Sequence, residues 1–167
     1  MTMTHYMELL ATNQPWNLLI FMAVPVILAE TLAITELVVL YTRATTGAVR
    51  VVNRTAGIAA GLWFAGIFVY LLVNAALPLT LHGAWRGWID VTAVGFYLFG
   101  VVPLGGIALL DLHLLGDRAD VTGRMKMHAG FVAMFLITAH VAMIAGMLDP
   151  TLGTAEPSAM AGMHSHG

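Results

Sequence analysis

The sequence predicts an all-α integral membrane protein, a bundle of four transmembrane helices joined by short loops. Of its 167 residues, 59% are hydrophobic and 10% are charged, and the mean hydropathy of +0.86 lies outside the range of soluble globular domains. Four apolar runs are each long enough, at about 1.5 Å per residue, to cross a hydrocarbon core about 30 Å thick. The segments between these runs are too short to form a soluble domain.

The four helices are expected at approximately 16–42, 56–79, 88–114 and 126–148, within one transmembrane domain of residues 1–150. The first run is too long, and the residues before it too poor in basic side chains, for a cleaved signal peptide. The last segment, 151–167, is rich in Ala, Gly, Met and His and is expected to form a flexible tail facing outward.

Proline and glycine positions predict how the helices bend and pack. Pro25 and Pro103 each remove a backbone hydrogen bond and are expected to kink the first and third helices. Small residues allow close approach of helix backbones in lipid, so Gly57 and Gly61 in the stretch GIAAG, and the glycines farther along the second and third helices, predict helix contacts.

The basic residues predict the orientation. The sequence has seven, and all but Arg86 fall in two loops, between the first two and the last two helices: Arg43, Arg50, Arg54, Arg118, Arg124 and Lys126. The positive-inside rule places both loops in the cytoplasm and both termini on the periplasmic or extracellular side. We therefore expect a multi-pass protein of the bacterial cytoplasmic (inner) membrane.

Several classes of function are disfavoured by composition. The chain has no cysteine, which excludes disulfides, thiolate metal sites and iron–sulfur clusters. A net charge of -2 without a basic stripe gives no indication of nucleic-acid binding. No phosphate-binding glycine loop, dinucleotide fingerprint or nucleophile elbow is found. We expect no independent enzymatic activity beyond a role as a redox subunit.

Two carboxylates stand within the apolar stretch VILAETLAITELVVLY, and their depths differ. Counted from the cytoplasmic end of the first helix, Glu30 lies about 17 Å deep and Glu36 about 8 Å deep. His140 on the antiparallel fourth helix lies about 18 Å deep, level with Glu30. An ionisable side chain at this depth usually faces the bundle interior and has a partner. Glu30 and His140 are thus predicted to form a mid-membrane level.

A second level is predicted near the cytoplasmic face, where Glu36, Asp111, His113 and His128 converge from three helices. Carboxylates and imidazoles together suit a transition metal such as Fe, Cu or Zn. The predicted metal ligands are Glu36, His113, His128, Glu30 and His140. Asp111 is expected to orient one of these ligands by a hydrogen bond without binding the metal itself. An alternative cofactor is haem b with His113 and His128 as axial ligands.

The outward-facing tails carry thioethers and imidazoles, the combination that favours copper. The candidate outer copper ligands are His5, Met160, Met163, His164 and His166.

Three functions remain open. The first is binding of a transition metal or haem for electron transfer or metal handling. The second is an accessory role in a larger respiratory or oxygenase membrane complex. The third is a metal-ion or proton permease. The expected partners are the lipid bilayer together with further copies of the chain or other membrane subunits. A purely structural alternative is that the buried ionisable side chains only hydrogen-bond across helices.

Overall fold

Helices account for all regular secondary structure in the computed structural model, which describes residues 3–43, 46–116 and 120–153. Within these ranges, four helices are long and apolar enough to cross a membrane, with a mean hydropathy between 1.9 and 2.3 in the most apolar window of each. We call them the first to fourth spans: Trp16–Thr42, Ala48–Leu81, Trp88–Asp111 and Val121–Met147. The prediction of four long apolar helices is confirmed.

The second span begins about two turns earlier than expected, at Ala48 rather than 56. The residues AVRVVNRT look like a polar loop in the sequence, but they form the first turns of the helix. Arg50 and Asn53 in these turns are directed towards the other spans, where they meet polar partners. Tertiary contacts therefore stabilise a helix that hydropathy alone does not reveal.

The ends of the other spans follow local capping chemistry. The third span ends at Asp111 rather than 114, and His113 just beyond it adopts the left-handed backbone conformation, with φ 61°. The fourth span begins at Val121 rather than 126, because the Asp120 side chain accepts a hydrogen bond from the Gly123 N–H and caps the helix.

Prolines shape the spans. Pro25 and Pro78 each follow a π-helical turn, whose wider winding accommodates the backbone next to a residue without an N–H. The third span is interrupted at Gly100, three residues before Pro103. The helical segments are Trp16–Leu18, Leu19–Ala23 (π) and Val24–Thr42; Ala48–Leu71, Leu72–Ala76 (π) and Leu77–Leu81; and Trp88–Phe99 and Val101–Asp111.

A short helix precedes the first span, at His5–Ala11, and packs across one end of the bundle. Thr4 caps it and donates a hydrogen bond of 2.8 Å to the Gly146 carbonyl at the end of the fourth span. Leu10 is buried in the core. We call this the amino-terminal end. The opposite end, where the second and fourth spans begin, we call the arginine end because Arg50, Arg54 and Arg124 lie there.

The second and third spans pack most closely at two glycines. A Cβ on Gly61 would overlap the Ala108 side chain and the Leu104 carbonyl, and one on Gly57 would overlap the Asp111 carboxylate. These are the close contacts that the GIAAG stretch predicts. Other glycines of the two spans face open space instead: Gly66, Gly95 and Gly105. The buried core between the spans includes Leu32, Phe64, Tyr97, Leu104, Ile107, Val132 and Phe135.

Candidate functional site

A buried histidine lies between two carboxylates near the arginine end. His128 Nδ1 is 2.7 Å from Glu36 Oε2, and His128 Nε2 is 3.2 Å from Asp111 Oδ2. The three residues come from the fourth, first and third spans and are only 2 to 3% exposed. Because both ring nitrogens face carboxylate oxygens, a hydrogen on each nitrogen gives the favourable arrangement. We call Glu36, His128 and Asp111 the triad.

The second span completes the network with two residues one helical turn apart. Asn53 is fully buried, and its Nδ2 donates to Glu36 Oε2 at 3.1 Å. Arg50 Nη1 donates to Asn53 Oδ1 at 3.1 Å, and Arg50 Nη2 lies 3.7 Å from Asp111 Oδ1. All four spans therefore contribute a polar side chain to one small region.

The charges of this region balance. Two carboxylates carry two formal negative charges, which a protonated His128 and Arg50 would offset. Taking an unpaired charge out of water costs several kcal/mol, so each group depends on the others for its burial. The pairing is incomplete at two buried atoms that make no hydrogen bond among the described residues. One is Asp111 Oδ1, and the other is His128 Nδ1, whose 2.7 Å contact with Glu36 Oε2 is an ion pair. Arg50 Nη2 lies 3.7 Å from Asp111 Oδ1, which is beyond hydrogen-bond distance.

Asp111 also lines a cavity of about 480 Å³ at the arginine end. Its carboxylate fits against the second span because Gly57 has no side chain to occupy that space. The other polar residues lining the cavity are Thr46, Arg50, Arg54, His113 and Arg124. The triad is thus connected through Asp111 to a space large enough for water.

Glu30 on the first span and His140 on the fourth lie apart from the triad, in a groove of about 370 Å³ that residues of all four spans line. Both are exposed. His140 Nδ1 donates to the Leu136 carbonyl at 2.6 Å. Tyr6 also lines the groove, and burial raises the pKa of its phenol to about 12. The remaining lining is apolar and rich in aromatic rings: Phe21, Phe64, Phe96, Tyr97 and Phe135.

A third acid and histidine pair lies at the amino-terminal end. Asp90 is fully buried and accepts from the His5 backbone N–H at 2.7 Å and from the Arg86 backbone N–H at 3.2 Å. Its Oδ2 also lies 2.5 Å from His5 Nδ1. Arg86 forms a further ion pair with Glu8 at 2.6 Å. These contacts hold the amino-terminal helix against the third span.

The structure brings some predicted site residues together and separates others. Glu36 and His128 meet as expected, and Asp111 contacts His128 directly. His113 is exposed beyond the end of its helix and lines the cavity. Glu30 and His140 share a groove, as their equal depth predicts, but no hydrogen bond or ion pair joins them. Within residues 3–43, 46–116 and 120–153, no three His, Asp or Glu side chains are arranged to hold a metal ion. The metal prediction therefore gains no support from the geometry.

The contacts of His128 bear on the haem prediction, and those of His5 bear on the copper prediction. A haem ligand would need one ring nitrogen of His128, and both face carboxylates. His5, a predicted copper ligand, is engaged by Asp90. The other predicted copper ligands lie outside the described residues: Met160, Met163, His164 and His166.

Arg50, Asn53 and Asp90 belong to these polar clusters but are not among the site residues that the sequence predicts. Hydropathy predicts a loop at Arg50 and Asn53, although their spacing of three places them on one face of a helix that extends to them. For Asp90 the sequence contains one indication of a role, which is its position as an acid in the first turn of a predicted helix.

Comparison with known proteins gives the chain a family but no activity. The model of a family of unknown function (DUF6803) matches residues 1–162, and the chain belongs to this family. No curated protein and no solved structure matches it. The arrangement of its side chains is therefore the basis for assigning a function.

Replacing His128 tests how strongly the triad depends on its central ring. We expect His128→Asn to lower the free energy of unfolding by about 3 kcal/mol or more, because Glu36 and Asp111 then lie buried without their shared partner. The matched variant His113→Asn, at an exposed position where Asn tolerates the positive φ, should change it by less than about 0.5 kcal/mol. Denaturant titration in detergent micelles measures both. Equal losses in the two variants would contradict the proposed dependence.

Proposed function

We propose that this member of the family moves protons between the cavity at the arginine end and the interior of the membrane. The triad supports this proposal, because the His128 imidazole joins Asp111, which lines the cavity, to Glu36, which lies deeper in the bundle. An imidazole can accept a proton at one nitrogen and release one from the other, so this arrangement suits transfer in steps.

The transfer can be written with its protons balanced. Protonated His128 gives its Nδ1 hydrogen to Glu36, which becomes the neutral acid. A half-turn of the ring then presents the bare Nδ1 to Asp111 and the remaining N–H to Glu36. Asp111, protonated from water in the cavity, gives its hydrogen to Nδ1 and returns to the carboxylate. The net result is one proton moved from the cavity to Glu36.

Glu30 and His140 are the next groups along the proposed path. Six residues separate Glu30 from Glu36 on the first span, a rise of about 9 Å that water would have to bridge. By the positive-inside rule, the arginine end faces the cytoplasm in this proposal. The groove would then lie near the middle of a bacterial inner membrane, and both chain termini on the outer side.

A second candidate function is that of a subunit in a larger membrane assembly, formed with further copies of the chain or with other subunits. Glu30 and His140 are exposed within apolar spans, and ionisable groups facing lipid cost a few kcal/mol. Only 17% of the most apolar window of the first span is buried, against 33 to 56% for the others. A partner covering this face would remove the cost. Purification in mild detergent as a lone monomer would count against this candidate.

Binding of a transition metal or haem remains a further hypothesis, with Glu36 and His128 as the two predicted ligands that lie in contact. Metal analysis and a visible absorption spectrum of the purified protein test it. Absence of both a haem band and stoichiometric Fe, Cu or Zn would reject it.

Proton flux into liposomes tests the primary proposal. With a potassium diffusion potential as driving force and a pH-sensitive dye inside, the protein should acidify or alkalinise the lumen faster than empty liposomes do. Glu36→Gln keeps the shape of the side chain but removes its ability to take up and release a proton. We expect it to slow the flux on the order of tenfold or more.

The control variant is Glu8→Gln, the same change at an exposed acid of the amino-terminal end. It should keep the flux of the unmodified protein. Flux no greater than that of empty liposomes, or an undiminished flux in Glu36→Gln, would overturn the proposal.

A further inference from the structure

The cavity at the arginine end is strongly basic, and we propose that it binds a phosphate-bearing anion. Among the described residues, three guanidinium groups line it, from Arg50, Arg54 and Arg124, against one carboxylate, that of Asp111. Three positive charges against one negative leave a formal excess of two, before any charge on His113 is counted. Planar guanidinium groups match phosphate oxygens in shape and charge and can bond them in pairs.

Two of the arginines are already held in position. Arg50 donates to Asn53 Oδ1, and Arg124 Nη2 donates to the Leu110 carbonyl at 2.7 Å. Such fixed donors lose little conformational entropy when an anion arrives. Arg54 differs, because it is exposed and has no hydrogen-bond or ion-pair partner within the described part of the chain. It is the cation that an arriving anion would engage without breaking an existing contact.

The start of the second span adds backbone donors to the same cavity. Thr46 and Gly47 line it, and Gly47 is the residue before the first helical turn. Gly47 has φ 100° and no side chain to cap the N–H groups that follow. Uncapped N–H groups and the positive end of a 24-residue helix attract anions. The helix terminus and the arginines thus both favour a negatively charged ligand.

The positive-inside rule alone does not account for this convergence. It requires basic residues near the ends of the spans but does not require that they share a cavity. Arg43 and Lys126 satisfy the rule at the same end, are exposed, and do not line the cavity. Arg50, Arg54 and Arg124, from two different spans, do line it. Substitutions of the basic residues that line the cavity therefore test the proposed site, and substitutions of those that do not line it are controls.

Phosphate chemistry has two sources at a membrane surface, the headgroup of an anionic lipid and a soluble phosphate. Basic pockets between spans bind anionic headgroups in membrane proteins. A cavity of about 480 Å³ is large enough for either ligand. The inference does not rest on proton transfer, and binding measurements separate it from the flux experiment.

Two binding measurements distinguish the sources. In the first, the protein in phosphatidylcholine nanodiscs is titrated with inorganic phosphate by calorimetry. In the second, the detergent-solubilised protein is mixed with phosphatidic acid, and native mass spectrometry counts the lipids retained. Binding of phosphatidic acid alone would identify a headgroup site, and binding of inorganic phosphate a site for soluble phosphates. Either result supports the proposal.

The variants Arg54→Gln and Arg43→Gln remove the same charge from the same end of the bundle. We expect Arg54→Gln to weaken binding about tenfold or more, because it removes charge-assisted hydrogen bonds to the anion. Arg43→Gln should change the affinity less than about twofold, through long-range charge alone. Binding of neither probe, or equal weakening by the two variants, would overturn the proposal.

Discussion

The burial of two carboxylates is the constraint on which the polar half of this bundle depends. Glu36 and Asp111 come from different spans and are almost completely removed from solvent. Neither could be buried as an ion without a positive partner, because the cost of an uncompensated charge exceeds what packing contributes at one position. His128 lies between them and contacts both. The contact joins the first, third and fourth spans at one depth.

Several local features follow from this contact. The second span extends to Ala48, which brings Arg50 and Asn53 to the acids that accept their hydrogen bonds or charge. Gly57 lacks the side chain that would displace the Asp111 carboxylate. The cavity at the arginine end then reaches Asp111 itself. The proposed proton transfer and the proposed anion site both start from this cavity and use different residues within it.

Depth along a helix could be predicted from the sequence, whereas rotation about the helix axis could not. Counting residues from the ends of the apolar runs placed Glu36 level with His128, and the structure brings them into contact. Glu30 lies about 120° around the helix from Glu36. The first span is apolar on all sides, so no polar face indicates which glutamate is directed inward. The structure buries Glu36 and leaves Glu30 exposed in the groove.

Helix ends were predicted less well, because hydropathy does not register the stabilising contacts of polar residues. Polar partners on other spans stabilise the helical turns that contain Arg50 and Asn53. The sequence predicts His113 beside His128, but the chain leaves the helix after Asp111 and turns through a positive φ, which moves His113 away from the triad. The amino-terminal helix is held by Asp90, an acid far away in the sequence.

If His128 joins the two buried carboxylates as a cation, the protonation of its ring in a lipid bilayer should show it. Solid-state NMR of the ¹⁵N-labelled imidazole, assigned by the signal missing from His128→Asn, reports whether each nitrogen carries a hydrogen. We expect hydrogen on both nitrogens at neutral pH, each directed at a carboxylate oxygen. A ring with one bare nitrogen, or one whose spectrum shows a bound metal, would contradict it.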